Sequence, residues 1–191
     1  LHSMLNVFGS RQIRRLATLG GNIGSASPIG DTLPVLMAYH ANVILKNLNG
    51  ERSIPLNEFI TGYRQTQMQA DEIITGIQIP KLPSTTIVSS YKVSKRKDLD
   101  ISTVSAAFRL NLNDGIVSEI QMSYGGMAEK TKQAIKAEEF LVGKIWSRET
   151  IEEAAELIYH EFTPLTDARS GAEFRRIAAK NLLIKFWSEN N

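Results

Sequence analysis

Residues 102–124 read STVSAAFRLNLNDGIVSEIQMSY, and this stretch decides the predicted fold of the second half of the chain. Apolar side chains recur at every second position from Val104 to Leu112 and from Ile120 to Tyr124, a pattern typical of strands with one buried face. Asp114-Gly115 lies between these runs, and both residues tolerate the positive φ angles of a tight hairpin turn. With a further alternating segment at 87–94, the pattern predicts a three-stranded antiparallel sheet.

Helical periodicity dominates the sequence after this sheet. Three helices are predicted, at 131–142, 151–162 and 172–187. Gly143 is expected to end the first helix, and Thr150 with Glu153 forms a capping-box pattern for the second. The third carries apolar residues at every fourth position: Phe174, Ala178, Leu182 and Phe186. Strands followed by helices predict an α+β domain over residues 86–191.

Residues 1–85 form the other predicted domain, which begins with helical segments. Residues 1–8 have the pattern of a helix end, with Gly9 as its stop. A second short helix is predicted at 31–39, with Asp31 as its N-cap.

Extended segments follow these helices. Asn49-Gly50 predicts a type I′ hairpin between segments 43–48 and 52–54. Residues 72–79 predict a half-buried strand whose inward face is formed by Ile73, Thr75, Ile77 and Ile79. Residues 81–86 have the composition of a linker.

Composition excludes several classes of chemistry. The chain has 191 residues and no cysteine, so it holds no thiolate metal site, iron–sulfur ligand or cysteine nucleophile. His2, His40 and His160 are not at metal-ligand spacing, and we assign them no catalytic role. A formal charge of +2 is too small to indicate a nucleic-acid partner. No apolar run approaches the ~20 residues of a membrane span, so we expect a cytoplasmic protein without a membrane partner.

The segment richest in candidate ligand-binding groups is 17–31, ATLGGNIGSASPIGD. Its paired glycines can expose backbone N–H groups to a pyrophosphate, and side-chain donors lie beside them at Thr18, Asn22 and Ser25. Asp31 could accept hydrogen bonds from sugar-type hydroxyls. The segment contains neither the Rossmann fingerprint nor the P-loop motif. From spacing alone, a Gly/Ser turn without a ligand remains the alternative.

Two further features allow both a functional and a structural interpretation. Lys92 and the basic–acidic segment 95–100 could bind a phosphate or a dinucleotide, or could form a solvated loop whose charges balance internally. Tyr63 could stack on a planar ligand or could simply pack in its loop.

The order of these segments resembles the molybdenum hydroxylase flavoproteins, a family that includes xanthine dehydrogenases, aldehyde oxidases and carbon monoxide dehydrogenase medium subunits. Residues 17–31 resemble the family's second FAD-binding motif. Further resemblances follow in the same order at 62–66 (GYRQT), 71–80, 91–100, 123–128 (SYGGMA) and 171–176 (GAEFRR). They span nearly the whole chain, which is most similar to bacterial xanthine dehydrogenase small subunits. The fold implied is the C-terminal part of an FAD-binding α/β lobe followed by the flavoprotein's α+β C-terminal domain.

The resemblance implies a role for each matching residue. Backbone and amide donors of Gly20, Gly21 and Asn22 would line the flavin diphosphate, and Thr18 and Ser25 would add hydroxyl contacts. The resemblance also assigns cofactor contacts to Asp31, Tyr63, Ile74 and Lys92. Asp31 would bind the sugar-like chain of the flavin, and Tyr63 would lie near the face of its ring. Ile74 would pack against the rings, and Lys92 would place a positive charge beside the ring carbonyls. The Arg96–Asp100 loop would lie where NAD approaches.

The resemblance also implies partners. In the intact enzyme a molybdopterin-bound molybdenum centre would oxidise the purine, [2Fe-2S] clusters would carry electrons to FAD, and NAD would accept them. The molybdenum and iron–sulfur centres would lie on other domains or subunits, and a homo-oligomer is left open. No catalytic acid or base is assigned in this chain.

The family's flavin domain begins with a further lobe that carries its own Gly-rich phosphate loop, upstream of the segment present here. We therefore expect this chain alone to bind FAD weakly or not at all. Three alternatives stay open: a non-catalytic scaffold fragment that docks partner subunits, the flavoprotein of an aldehyde oxidase-like or carbon monoxide dehydrogenase-like enzyme, and a nucleotide-binding regulatory module.

Overall fold

The computed structural model describes residues 1–96 and 99–191. It begins with four short helices: α1 (His2–Val7), α2 (Arg11–Leu16), α3 (Leu19–Gly24) and α4 (Thr32–Ala38). α1 and α4 confirm the helices predicted at 1–8 and 31–39. α1 ends before Gly9, whose φ of 49° lies in the left-handed region that favours glycine. Every residue of α4 is buried, so this helix lies in the interior of the protein.

A small antiparallel sheet follows the helices. The elements in chain order are β1 (Asn42–Asn47), β2 (Gly50–Pro55), α5 (Leu56–Phe59), β3 (Ile60–Gly62), β4 (Gln65–Thr66) and β5 (Ile73–Gln78). β2, β1 and β5 pair in that spatial order, and β3 with β4 forms a separate hairpin. No helix or strand occurs between β5 and residue 87, in agreement with the linker predicted at 81–86.

The hairpin of β1 and β2 is confirmed, but the type I′ turn predicted at Asn49-Gly50 is wrong. Leu48 and Asn49 are the turn residues, and both have negative φ angles. Asn47 Oδ1 accepts the backbone N–H groups of Asn49 at 2.9 Å and of Gly50 at 3.1 Å. The turn is therefore closed by a side chain, an interaction that asparagine commonly makes in turns.

β5 confirms the predicted strand, and Ile77 packs inward as predicted, but Ile73 and Ile79 do not. Its pairing with β1 shifts register between Ile44 and Leu45, so Thr75 is an extra, unpaired residue. Such a bulge shifts the alternation of side chains along the strand. Ile74 and Ile77 consequently pack against the core, whereas Ile73 is exposed.

A larger antiparallel sheet forms in the second half of the chain. Its strands are β6 (Ile87–Val93), β7 (Val104–Asn113), β8 (Ile116–Gly125) and β9 (Lys132–Gln133), in that spatial order. The β7–β8 turn is formed as predicted, with φ angles of 49° at Asp114 and 77° at Gly115. The three predicted strands are confirmed, and the described residues add a short fourth strand, β9. Gln133 pairs with Ser123, so the first residues of the helix predicted at 131–142 extend the sheet instead.

Three helices follow the larger sheet: α6 (Ile135–Leu141), α7 (Arg148–Glu161) and α8 (Ala172–Glu189). α7 begins three residues earlier than predicted, because Ser147 Oγ, rather than Thr150, accepts a backbone N–H at the helix start. The capping box predicted from Thr150 and Glu153 is therefore wrong. On α8, Leu182 and Phe186 are buried as expected, but Phe174 is 52 % exposed.

Two main hydrophobic clusters stabilise these elements. The larger lies between the β6–β9 sheet and α6–α8, where Phe108 contacts Tyr124 and Phe186 with ring centroids 5.4 and 5.2 Å apart. The smaller lies between α3, α4 and the β1–β2–β5 sheet and includes Leu36 and Phe59. α4 also packs on β7 through Val35 and Ala38, which contact Ala107. Helix α4 thus contributes to the packing of both halves.

The observed architecture is α+β, as predicted, with helices and antiparallel sheets segregated along the chain. None of the helices in residues 1–96 and 99–191 is both long and apolar enough to cross a membrane.

Candidate functional site

The glycine segment folds into α3, a short helix, rather than an irregular loop. Thr18 is its N-cap, and the Thr18 Oγ1 atom accepts the backbone N–H of Gly21 at 2.9 Å. A Cβ atom at Gly21 would lie 2.9 Å from the same oxygen, so a larger residue would displace the cap. At the other end of α3, Ser25 Oγ donates to the backbone carbonyl of Asn22 at 2.8 Å. The sequence identified these residues but not the helix that they form.

Asn22 connects α3 with the start of α4. Its Oδ1 atom accepts a hydrogen bond from Thr32 Oγ1 at 2.6 Å. Both residues line a cavity of about 310 Å³, which Thr18 also lines. The remaining lining residues are Leu5, Phe8, Arg14, Ala17 and Leu19. Hydroxyl and amide groups therefore face a cavity whose other walls are largely apolar.

Ile74 lies against the glycine face of α3. A Cβ atom at Gly20 would be 3.6 Å from Ile74 Cγ2, and one at Gly24 would be 3.5 Å from Ile74 Cδ1. The glycines thus allow β5 and α3 to pack closely. The structure brings Ile74 beside the glycine segment, as expected for one site, and the ring contact implied by the resemblance stays a prediction.

Asp31 and Lys92 form a buried ion pair. Lys92 Nζ lies 2.7 Å from Asp31 Oδ2, and each side chain is 7 % exposed. Lys92 Nζ also donates to the backbone carbonyl of Val7 at 3.2 Å, and Ser102 Oγ donates to Asp31 Oδ1. Asp31 is the N-cap residue of α4, as predicted, but its side chain makes no capping hydrogen bond. Its carboxylate is used by Lys92 and Ser102 instead.

The additional hydrogen bonds explain how this ion pair can be buried. Removing two charges from water costs several kcal/mol per ion, and their attraction offsets that cost only when the remaining donors and acceptors are also satisfied. Val7 satisfies a second proton of Lys92, and Ser102 satisfies the second oxygen of Asp31. Thr32, which follows Asp31 directly, lines the cavity beside α3, whereas Lys92 lines a separate cavity of about 750 Å³.

Tyr63 lies apart from these groups. It occupies the β3–β4 turn next to Arg64, which has a φ of 52°, and its side chain is 60 % exposed. The Arg64 guanidinium lies 5.9 Å from the Tyr63 ring centroid. In the described part of the chain, no hydrogen bond or ring contact joins Tyr63 to Thr18, Asn22 or Lys92.

The basic segment after β6 is partly balanced by its own acid, as one interpretation expected. Asp100 Oδ2 accepts the backbone N–H of Arg96 at 2.8 Å, and this bond is the main cause that lowers the pKa of Asp100. Lys95 Nζ donates to the carbonyl of Ala168 at 3.3 Å. Residues 97 and 98 of the predicted loop lie outside the described residues.

Glu72, from the segment matched at 71–80, has a structural role. Arg52 contacts both of its oxygens, at 2.5 and 2.8 Å, and Gln69 N–H donates to it at 2.7 Å. The Arg52 hydrogen bond and then the Gln69 amide lower the pKa of Glu72 to about 2. Glu72 therefore holds the loop before β5 against β2.

The two C-terminal segments matched to the family also meet in space. Gly126 has a φ of 80°, and its N–H donates to the carbonyl of Pro28 at 2.8 Å. Arg175 is 3 % exposed and donates to the carbonyls of Gly126, at 3.2 Å, and Thr103. It also pairs with Asp167 at 2.9 Å. Sequence analysis assigned no role to Arg175 or Ser102, because their partners are distant in the chain.

Comparison with known proteins identifies the family. Residues 89–190 match the CO dehydrogenase flavoprotein C-terminal domain. The chain belongs to this family. Residues 1–82 match the FAD binding domain in molybdopterin dehydrogenase. These two matches confirm the resemblance to molybdenum hydroxylase flavoproteins.

Full-length relatives and solved structures agree with this assignment. The chain is 40 % identical over 192 residues to xanthine dehydrogenase of Blastobotrys adeninivorans, covering 96 % of this chain and 14 % of that protein. It is 36 % identical to xanthine dehydrogenase 1 of Arabidopsis thaliana, covering 98 % of this chain and again 14 % of the relative. The chain therefore spans about one seventh of the length of these relatives.

Among solved structures, carbon monoxide dehydrogenase from Hydrogenophaga pseudoflava superimposes with a TM-score of 0.89 at 25 % identity. That match covers 94 % of this chain and 62 % of the other. Quinoline 2-oxidoreductase from Pseudomonas putida 86 gives a TM-score of 0.88 at 26 % identity, covering 98 % and 65 %. The arrangement of helices and sheets is therefore that of these flavoprotein chains.

Proposed function

We propose that this chain carries part of the FAD site of a xanthine dehydrogenase-like molybdenum hydroxylase. The observation that carries the proposal is the Asn22–Thr32 hydrogen bond, which joins the glycine helix α3 to the segment that holds the buried Asp31–Lys92 pair. Through this bond, two groups of residues implied by the family resemblance are linked by neighbouring residues, Asp31 and Thr32. Family membership supplies the second, independent support.

The residues present fit part of this cofactor. The cavity beside α3 offers polar groups from Thr18, Asn22 and Thr32 together with apolar walls, a combination that suits a ligand with both a polar chain and a flat ring. At about 310 Å³ the cavity is at the small end of ligand sites, so it suits a portion of a dinucleotide.

FAD, when bound, supplies the electron-transfer chemistry, whereas the protein supplies binding, orientation and electrostatics. The diphosphate is assigned to the residues of the α3 segment: Thr18, Gly20, Gly21, Asn22 and Ser25. Asp31 would accept a ligand hydroxyl, Lys92 would contribute its positive charge, and Ile74 would limit the site on the β5 side. Tyr63 remains a contact proposed near the ring face.

The wider assignment rests on the relatives. Residues 1–85 would be the C-terminal part of the FAD-binding domain, and residues 86–191 the flavoprotein C-terminal domain. Electrons would arrive from [2Fe-2S] clusters and a molybdopterin centre on partner domains or subunits, and NAD would accept them. The names of the relatives support xanthine oxidation as the overall reaction.

Titration with FAD, followed by the absorbance of the bound flavin, tests the proposal. We expect weak binding by this chain and stoichiometric binding once it is joined to the phosphate-loop lobe that the family resemblance places before it. In the joined protein, Asn22→Ala should weaken binding about tenfold, or ~1.4 kcal/mol. Asn49→Ala, an exposed turn substitution, is the matched control and should leave the affinity unchanged.

Failure of the joined, folded protein to bind FAD would contradict the proposal and favour a scaffold that docks partner subunits. Stoichiometric flavin in the chain alone would contradict the expected weak binding. Electron transfer from NADH to a dye by the joined protein tests NAD as the acceptor separately.

A further inference from the structure

Three separate elements meet at the carboxylate of Asp31. Asp31 precedes α4, Lys92 lies near the end of β6, and Ser102 lies just before β7. Lys92 and Ser102 are therefore at the two ends of the segment that connects β6 with β7, and they contact different oxygens of the same carboxylate. Ser102 is completely buried, and Asp31 is 6 % exposed.

A second hydrogen-bond donor, on the other oxygen, restricts rotation of the Asp31 carboxylate. The terminal torsion of an aspartate is broad, so a carboxylate held by a single donor retains freedom to rotate. Donors on both oxygens fix its plane. In a buried ion pair this orientation is important, because the attraction offsets desolvation only when the geometry is good.

We propose that Ser102 is a positioning residue that orients Asp31 and, through it, the ammonium group of Lys92. Ser102 has no contact with the cavity beside α3 and acts through Asp31. The inference deepens the proposed flavin site and rests on it for its functional meaning. The geometry itself does not depend on any cofactor.

Lys92 and Ser102 use only part of the acceptor capacity of Asp31. An ionised carboxylate has about four acceptor positions, and Lys92 with Ser102 uses two of them. The ligand hydroxyl of the proposed flavin site would use one of the two remaining positions and would not compete with either protein donor. Asp31 also balances the positive charge of Lys92. If the Asp31 carboxylate rotated away from Lys92, that charge would lose part of its compensation.

Chemical labelling of Lys92 tests the inference in the protein without cofactor. Reductive methylation is followed by peptide mass spectrometry, with the exposed Lys81 as internal reference for reagent reactivity. We expect Ser102→Ala to accelerate Lys92 labelling severalfold relative to Lys81. Ser102→Cys, which keeps nearly the same volume but is a weak donor, should behave similarly.

Ser105→Ala is the matched control. Ser105 is also fully buried, lies on β7 three residues from Ser102, and its hydroxyl has no hydrogen-bond partner among the described residues. Its substitution should leave Lys92 labelling unchanged. Equal acceleration by Ser102→Ala and Ser105→Ala, or no acceleration by Ser102→Ala, would overturn the inference.

A double-mutant cycle provides a second readout. It measures whether the effect of Ser102→Ala on stability depends on Lys92, a dependence that local packing of Ser102 alone would not produce. Because Ser102 and Lys92 share Asp31, the decrease in urea midpoint caused by Ser102→Ala should fall to about half or less in a Lys92→Met background. The decrease caused by Ser105→Ala should be the same in both backgrounds. An undiminished effect of Ser102→Ala would contradict coupling through Asp31.

FAD titration of the joined protein separates this inference from the proposed function. If both hold, Ser102→Ala weakens FAD binding severalfold and Ser105→Ala does not. If the flavin proposal fails, no variant binds FAD, but the labelling contrast persists. If the positioning role fails, Ser102→Ala and Ser105→Ala bind FAD equally and label Lys92 equally.

Discussion

Asp31 and Glu138 are two carboxylic acids removed from bulk water in very different ways. Asp31 is paired with Lys92 at 2.7 Å and receives a second hydrogen bond from Ser102. Glu138, on α6, accepts the backbone N–H of Met122 at 2.6 Å, and no ion pair to it occurs among the described residues. Burial, aided by the negative charge of Glu161, raises the pKa of Glu138 to about 7. Asp31 is therefore held by a cation and a hydroxyl, whereas the carboxyl of Glu138 gains protons more readily than an exposed glutamate.

Removing the cation from the paired site should have the largest effect. We expect Lys92→Met to lower the free energy of unfolding by about 3–5 kcal/mol, because the buried Asp31 charge loses its partner. Urea denaturation measures this change. Lys185→Met is the control, since Lys185 and Glu189 form an exposed pair at 3.6 Å and should contribute ~1 kcal/mol or less. Equal effects of the two substitutions would contradict the larger contribution that we expect from the buried pair.

Glu138 should make the stability of the protein depend on pH. Because the pKa of Glu138 is raised from 4.5 to about 7 in the folded protein, its contribution to stability is complete below pH 4.5. That contribution is lost as pH rises through about 7, and we expect the loss to be on the order of 1–3 kcal/mol. Glu138→Gln should remove this part of the pH dependence, measured by urea denaturation between pH 4.5 and 8. An unchanged pH profile would contradict the interpretation.

The Arg52–Glu72 pair is a counterpart to the buried pair in which only the acid is buried, and it should have the smallest effect. Its pKa is lowered to about 2, so its contribution is present above its unfolded value of 4.5 and is lost as pH falls toward 2. The sign is opposite to that of Glu138. Arg52→Met should reduce the loss of thermal stability in acid, measured as the melting temperature from pH 5 to pH 2.5. Because the Arg52 side chain is 39 % exposed, solvent screening should keep the effect modest.

Local sequence signals were sufficient for most elements of the fold. Asp114 and Gly115 adopt the positive φ angles expected of them, and alternation along β7 and β8 correctly predicted the central hairpin. The errors in turn type and in strand alternation occurred where a side-chain hydrogen bond or a β-bulge changed the local backbone geometry. Asn47 closes the β1–β2 turn, and the unpaired Thr75 shifts the alternation of β5 so that Ile74 rather than Ile73 packs inward.

The candidate site was predictable mainly through the family resemblance. That resemblance identified Asp31 and Lys92, but spacing could not show that they form a pair across 61 positions. Ser102 and Arg175 were missed for the same reason. A buried serine or arginine is recognisable only after the tertiary fold brings its partners near, since the residue types themselves are common in loops and on helix surfaces.

Binding of FAD by the joined protein tests the central claim most directly, with the two carboxylic acids compared in one titration. We predict that Asp31→Asn weakens FAD binding about tenfold or more, since the ligand loses a charged acceptor and Lys92 loses its partner. Glu138→Gln should bind FAD as the unsubstituted protein does. Circular dichroism would verify that each variant is folded. Equal FAD affinity of the folded Asp31→Asn and Glu138→Gln variants would contradict the placement of Asp31 in a flavin site.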